Sequence, residues 1–428
     1  MTGSAPRVRR RRRRSVLSFD HNLDFAFQAC RTRYTFHSKG SLLNSSRGGV
    51  RMATLERGPL ASAGIDKLKQ TPRVRTTVPI VAWATVGAAF ITLAIYVASS
   101  WILGGRATPT PIGANNPTLG RDLAWNIGAQ VLTIIAVIGT LIYVGRRCIR
   151  ERRVTFDAIL VVAYLLLIQW DPILNYVTPQ FSYSSLMMNF GSWTTDMPGW
   201  VSPHGNLMPE PTILIGIGFI WSASLCMIGC GFLRKVVMRR WPQTGKLGII
   251  LWSLGFMMLA DLVIETVLCY GHIISYPNTV SWLTLFEGTS HQFPLYEALV
   301  WGGLGWAPLM VLRFYLDDRG HSVVERGVDR VNVSNKAKVG LQVLAVAAVT
   351  NICYLSYNIV MIGIGLQIDN DGHAVYPSHL INGICGHETP YPCPDPAAGR
   401  PISTGGQPGS PRDIPGDGRT WVDVYLGG

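Results

Sequence analysis

Charge is what this chain has least of: 15% of its 428 residues are Asp, Glu, Lys or Arg, while 48% are hydrophobic. An average soluble domain carries about 25% charged residues, so a polytopic membrane protein is the first class to test. The scarcity is sharpest from Val177 to Pro211, 35 residues without one lysine or arginine in a chain of formal charge +13. Several chemical signatures are also missing. The sequence has no Gly-Lys-Ser/Thr phosphate loop, no G-x-S-x-G elbow and no H-E-x-x-H, which excludes P-loop, α/β-hydrolase and zincin chemistry. It lacks the clustered histidines of a membrane di-iron oxygenase and a mid-helix lysine for a retinal Schiff base. No stretch of 20–50 residues repeats. Of eight cysteines, Cys226 and Cys230 are spaced for helix packing, with no other soft ligand near them in sequence. No metal site and no cofactor is expected.

Long apolar runs are what the chain does have. A span needs roughly 20 mostly apolar residues, and seven stretches supply them: Val78–Leu103, Leu123–Gly145, Phe156–Val177, Thr212–Leu233, Leu247–Tyr270, Leu295–Phe314 and Val339–Leu366. Basic residues alternate across the connections. Loops 146–153 and 234–246 hold five each and segment 313–338 holds six, whereas the intervening connections hold two (Arg106, Arg121), none and none. By the positive-inside rule, the fold class is an all-α polytopic protein of the plasma membrane with seven transmembrane helices, N-terminus inside and C-terminus outside. The expected partners are membrane lipids and a lipophilic small molecule.

The flanks read differently. Twelve Lys/Arg and two Asp place +10 in residues 1–51, so the total charge says little about the membrane domain and nucleic acid is not an expected partner. Met52 followed by Ala-Thr-Leu-Glu looks like the better start; otherwise 1–51 is a basic disordered arm at the cytoplasmic face, with 52–77 leading into the membrane domain (78–367). Residues 368–428 hold nine Pro and 11 Gly, a loose external tail. Its Cys385 and Cys393 are placed where an oxidising compartment could pair them.

Between the third and fourth spans lies segment 177–211, with Phe181, Tyr183, Phe190, Trp193 and Trp200. Five large aromatics argue against disorder, so it is read as an ordered external cap over a site. Acidic residues point to the same level. Asp261 and Glu265 lie 15 and 19 residues after Lys246, about 22 and 28 Å along a helix. Asp171, Glu210 and Glu297 stand at the outer ends of their own spans, and Asn351, Tyr354 and Asn358 bring in the last one. A carboxylate inside a span costs about 2.5–3.5 kcal/mol and is a functional candidate by default. The blander readings differ by residue. Glu210 and Glu297 fit helix caps, Asp171 before Pro172 fits a cap at a helix break, and Trp193 and Trp200 fit an interfacial belt as well as a substrate lid. Asp261 and Glu265, mid-helix and four apart, need a partner or a wet cavity. The chemistry left open is acid–base work by carboxylates, aided by His204, His272 or His291 and by Tyr and Asn donors.

The motifs Trp170-Asp171-Pro172 with Asn175, Gly191-Ser192-Trp193, Pro198-Gly199-Trp200 with Ser202-Pro203, Pro209-Glu210-Pro211, Asp261-x-x-x-Glu265 and Gln292-Phe293-Pro294-Leu295-Tyr296-Glu297 occur in this order. Together they resemble the AveC-like spirocyclases, actinobacterial membrane proteins typified by one acting in avermectin-type macrolide biosynthesis. The resemblance covers roughly 78–330. It implies spiroketal formation on a polyketide, sometimes with dehydration, though the substrate here could be another lipid; the carboxylates gathered at one depth suit such acid–base work without a cofactor. Glu265 would serve as acid and Asp261 and Asp171 as anion and base, with Glu210 and Glu297 as further catalytic candidates. Trp170, Asn175, Trp193, Trp200, His204, His291, Tyr296, Tyr354 and Asn358 are the candidate substrate contacts. The competing reading is a transporter or lipid-binding protein; the lack of repeated halves speaks against common transporter folds.

Overall fold

The computed structural model describes residues 79–113, 116–177, 179–200, 205–368, 376–380 and 418–427. The arm 1–51, the lead-in 52–77, His204, Cys385 and Cys393 lie outside the described residues.

Six helices are long and apolar enough to cross a membrane: α1 Pro79–Leu103, α2 Leu119–Glu151, α4 Ile220–Arg240, α5 Lys246–Tyr270, α6 Leu295–Phe314 and α7 Asn335–Gly365. A bent pair, α3 Phe156–Leu165 and the 3-10 stretch Ile168–Asn175, makes a seventh if counted as one span. α1, α2 and α5 each leave large apolar side chains exposed, among them Ile95, Leu132, Ile135, Leu259 and Val263, as helices facing hydrocarbon do. α7 is packed on more sides and buries Ala345, Val346, Ala347, Tyr354 and Tyr357. Its contact with α1 is close enough to demand glycine: a Cβ on Gly87 would sit 1.9 Å from the Leu344 carbonyl oxygen.

The third span departs from the continuous helix expected over 156–177. It bends by 46° between Leu165 and Ile168. Pro172 cannot donate to the preceding turn and disfavours α geometry at Asp171, so the chain tightens into 3-10 turns. Backbone freed in this way must find partners inside the protein. Asn351 of α7 supplies them, donating to Leu166 O (3.0 Å) while its Oδ1 accepts from Gln169 Nε2 (2.6 Å) and Trp170 Nε1 (2.8 Å). The fourth span also differs from its expected start, since Thr212–Ile217 is a wide π-helical turn ahead of α4. A second π turn, Trp301–Trp306, interrupts α6. There Gly302 meets α5 so closely that a Cβ would lie 2.7 Å from Met258 Cα.

At one end of the bundle the buried Asp157 of α3 accepts from Arg147 of α2 and from Arg313 of α6 (2.6 and 3.0 Å). At the other end the segment after Asn175 folds back over the helices. Here four two-residue strands interrupt the all-α pattern: β1 Ser182–Tyr183 pairs antiparallel with β2 Ile274–Ser275, and β3 Thr284–Leu285 with β4 Phe293–Pro294. Leu186, Met187, Asn189 and Ser192 are buried. Asn189 Oδ1 accepts from Thr110 N (2.9 Å), and Asp196 takes both the Ser100 hydroxyl (2.6 Å) and the Arg106 guanidinium. Two pieces of the tail pack here rather than trailing loosely. Tyr376–Leu380 is buried, and in the short helix α8 (Trp421–Tyr425) Trp421 Nε1 donates to Asn189 O at 2.7 Å.

Candidate active site

A cavity of about 60 Å³ lies under the folded-back segment, among the 3-10 stretch, α5, α6 and α7. At ~10–15 Å³ per water centre it has room for several waters. Three carboxyl groups line it: Asp171 from the stretch that Pro172 bends, Glu265 from α5 and Glu297 from the first turn of α6. Among the described residues, no Lys, Arg or His is on the wall. Each carboxyl instead accepts a tyrosine hydroxyl. Tyr354 donates to Asp171, Tyr276 to Glu265, and Tyr357 to Glu297 (2.7 Å). Tyr354 and Tyr357 are three apart and share one face of α7, so one helix orients two carboxyls from different elements. Burial, reinforced by Glu265, pushes the Tyr276 phenol well above its ordinary value and keeps it a donor. The remaining wall is aromatic and aliphatic, with Phe181, Phe219, Trp301 and Trp306 prominent. The two π turns at 212–217 and 301–306 supply Leu214, Ile215, Trp301 and Trp306, in keeping with the frequency of π-bulges at functional sites.

A smaller recess adjoins the cavity through Asp171, Phe181 and Tyr183, and Glu210 lines it with Asn175 and Met208. Glu210 and Asp171 are in hydrogen-bonding reach of each other, and Tyr183 also bonds Asp171. Burial first, and then the Asp171 charge, push the Glu210 carboxyl well above its ordinary value. Asp171 Oδ2 and Glu210 Oε2 are otherwise buried without a donor. A proton shared between the two carboxyls satisfies both.

The remaining sequence candidates are placed as follows. Asp261 is fully buried on α5, close enough to Glu265 and Glu297 to interact electrostatically, but it is not on the cavity wall, and neither of its oxygens has a hydrogen-bond partner. Asn175 is structural as well as lining, since its Oδ1 accepts from Gln180 N and Phe181 N, both at 2.9 Å. Trp170 serves the Asn351 cluster and packs edge-on against Phe90. Trp193 donates to Gln169 O (3.1 Å) and packs on Trp101, and Trp200 packs on Tyr176. Asn358 donates back to Tyr354 O (3.0 Å). Tyr296 is buried, and His291 packs between Tyr270 and Phe286, with burial and then His272 lowering its proton affinity. None of these seven is on the wall of the larger cavity; Tyr354 is. His272 is away from it too, bonded to Asp122 and Ser290. Sequence reasoning missed Tyr276, Tyr357 and Trp301. Tyr357 was detectable, one turn from Tyr354, whereas Tyr276 reaches Glu265 only through the fold of its loop.

A family model described as "Spirocyclase AveC-like" matches residues 151–375, more than half of the chain and all of the cavity wall. Comparisons with curated proteins and with solved structures return no match.

Proposed function

Because the chain belongs to the AveC-like spirocyclase family, we propose that it closes a spiroketal, or a related cyclic acetal, on a lipophilic polyketide whose keto-diol group is presented to the cavity bounded by Asp171, Glu265 and Glu297. The observation that carries this reading is the triple pairing of carboxyl and tyrosine on one apolar wall. A dihydroxy-ketone becomes a spiroketal by adding one hydroxyl to the carbonyl, losing water from the hemiketal, and capturing the oxocarbenium ion with the second hydroxyl. The net change is loss of one water, and the reacting carbon keeps its oxidation level. The reaction therefore needs a proton donor at the departing hydroxyl, negative charge near the cation, and a base for the second hydroxyl.

Glu265 is assigned as the donor, with Tyr276 holding its other lone pairs in place. Asp171, sharing a proton with Glu210 and bonded to Tyr354, serves as base and, with Glu297, as the stabilising charge. Water released in the cavity is small enough to be held there, while the aromatic wall suits the hydrocarbon part of the substrate. Asp261 sits behind Glu265 and Glu297 and acts through them. The basic loops 146–153 and 234–246 support an inside placement for that end of the bundle, so the cavity and its cap face outward from the plasma membrane.

Purified protein in detergent, given a synthetic keto-diol and analysed by mass spectrometry and chiral chromatography, tests the reading. Faster and stereoselective loss of water relative to buffer is the expected result. Binding without conversion, for this and a panel of polyketide-like keto-diols, would favour the lipid-binding or transport reading.

A further inference from the structure

Three side chains away from that cavity converge on one point. Asp122 stands in the first turn of α2, His272 just beyond α5, and His379 in the packed tail segment Tyr376–Leu380; all three are buried. His272 Nδ1 lies 3.0 Å and His379 Nε2 3.2 Å from the same oxygen, Asp122 Oδ2. The three atoms fall within 4.8 Å of one another. Two atoms that each ligate one ion at about 2.1 Å are separated by about 3.0–3.4 Å at octahedral to tetrahedral angles, so the two observed separations suit a shared ion.

The surroundings match a ligand shell in further respects. The distal nitrogen of each ring meets a hydroxyl, His272 Nε2 with Ser290 Oγ at 2.9 Å and His379 Nδ1 with Ser184 Oγ at 3.0 Å. Such outer partners fix the tautomer that turns the other nitrogen's lone pair toward a metal. Thr118 Oγ1 also bonds Asp122 Oδ2, at 2.5 Å, while Asp122 Oδ1 is buried with no partner. The donors crowd one oxygen and leave the second buried without a partner, an unsatisfied polar atom of the kind that an unfilled ion site leaves. His272 takes a left-handed backbone (φ 51°), a conformation that histidine adopts more readily than most residues other than glycine.

We propose that Asp122, His272 and His379 bind a divalent transition-metal ion of the Zn²⁺ class, with water or a neighbouring hydroxyl completing the shell. Two imidazoles and one carboxylate suit Zn²⁺, Co²⁺ or Fe²⁺ better than Ca²⁺ or Mg²⁺, which prefer all-oxygen sites. The ion replaces the protons shared between rings and carboxylate and releases them to solvent. Its effect is a clamp. Ser184 adjoins Tyr183, whose β1 partner on β2 is Ile274, two residues from His272, and both Tyr183 and Ile274 line the cavity. The ion therefore ties the tail and α2 to one wall of the cavity. Asp122 and His379 both lie outside the residues matched by the family model, so the clamp is independent of the catalytic assignment.

The test uses the full chain without a histidine tag, stripped with a chelator and titrated with Co²⁺. One equivalent of Co²⁺ with the visible absorption of a four- or five-coordinate site, displaced by Zn²⁺, is expected, together with a higher unfolding temperature. Asp122→Asn should abolish the absorption, and Ser184→Ala should weaken binding about 10–100-fold, the usual cost of losing an outer partner. If the wild-type protein takes up no stoichiometric Co²⁺ or Zn²⁺, the cluster is a hydrogen-bond network and the proposal is overturned. An absorption that persists in Asp122→Asn overturns it equally, by placing the ion elsewhere. The wild-type titration stands even where a variant fails to fold, and none of these readouts depends on enzymatic turnover.

Discussion

Glu210 reaches Asp171 across the junction between the folded-back segment and the bent third span, which brings the two carboxyls within hydrogen-bonding reach of each other. The contact depends on Pro172, because a straight third helix would carry Asp171 around its axis with no reason to face Pro209-Glu210-Pro211. A proline that breaks a span thus places one acid on the cavity wall and gives it a second acid as partner.

The pairing has a pH consequence. The folded-state value of Glu210 is raised, so its contribution to stability is complete below the ordinary glutamate range, about 4.3, and is lost as pH rises through the raised value. Thermal stability should therefore weaken on the alkaline side. Glu210→Gln keeps the hydrogen bond to Asp171 and cannot ionise, so it should flatten that limb. Melting temperatures measured across pH for both proteins check this; parallel curves would mean that Glu210 is not the group responsible.

Removing single hydroxyls tests the tyrosine partners. Tyr357→Phe and Tyr276→Phe keep the rings and delete the donors to Glu297 and Glu265. A buried carboxyl that loses one hydrogen bond should cost about 1–3 kcal/mol in stability, and turnover of a keto-diol should fall in each. Tyr176→Phe is the comparison, since its hydroxyl donates to Gly199 O at an exposed site. Equal effects in all three variants would remove the special standing of the wall tyrosines.

The Arg106–Asp196 pair, with Ser100, fastens the folded-back segment to the end of α1. Burial works against the Asp196 charge, but the Arg106 and Ser100 bonds outweigh it and hold the carboxyl below its ordinary value. Its stabilisation is therefore present above the usual aspartate range, about 3.9, and is lost as pH falls through the lowered value. Asp196→Asn should increase proteolysis within 177–211 at neutral pH and lessen its acid sensitivity. Limited proteolysis followed by mass spectrometry reads both; an unchanged cleavage pattern would show that the segment is held by its other contacts.

How far the sequence was legible follows from what kind of signal each feature leaves. Apolar length located α1, α2, α5, α6 and α7 within a few residues, because hydrocarbon thickness dictates it. The bend after Leu165 was announced by Trp170-Asp171-Pro172, yet its angle and its support by Asn351 depend on packing between distant segments. Depth counting put Asp171, Glu265, Glu297 and Tyr354 at one level because rise along a helix is regular, and all four line the cavity. Facing is less regular. Asp261 shares a face with Glu265 by spacing, yet it is buried off the cavity wall, on the α5 stretch where the π turn of α6 packs Gly302 against Met258. His272 was a candidate by type, but its convergence with Asp122 and His379 left no signal, the three being separated by more than 100 residues and joined by a tail whose composition reads as loose.

That difference between Asp261 and Glu265 yields the most discriminating prediction. Both are mid-helix acids on α5, Asp261 buried and Glu265 half-buried, and equally suspect by sequence. Only Glu265 touches the cavity, and only it has a tyrosine partner. Glu265→Gln keeps size and hydrogen bonding while removing the transferable proton, and should cost about 10²–10⁴-fold in turnover. Asp261→Asn should lose less than about tenfold, below the range for a lost acid or base. It should also raise stability, because an amide replaces a buried carboxyl that has no partner. Turnover and melting temperature must be measured on the same preparations. If Asp261→Asn falls as far as Glu265→Gln while remaining folded, the proton path runs through α5 rather than across the cavity, and the donor would have to be assigned to the Asp261–Glu265 pair.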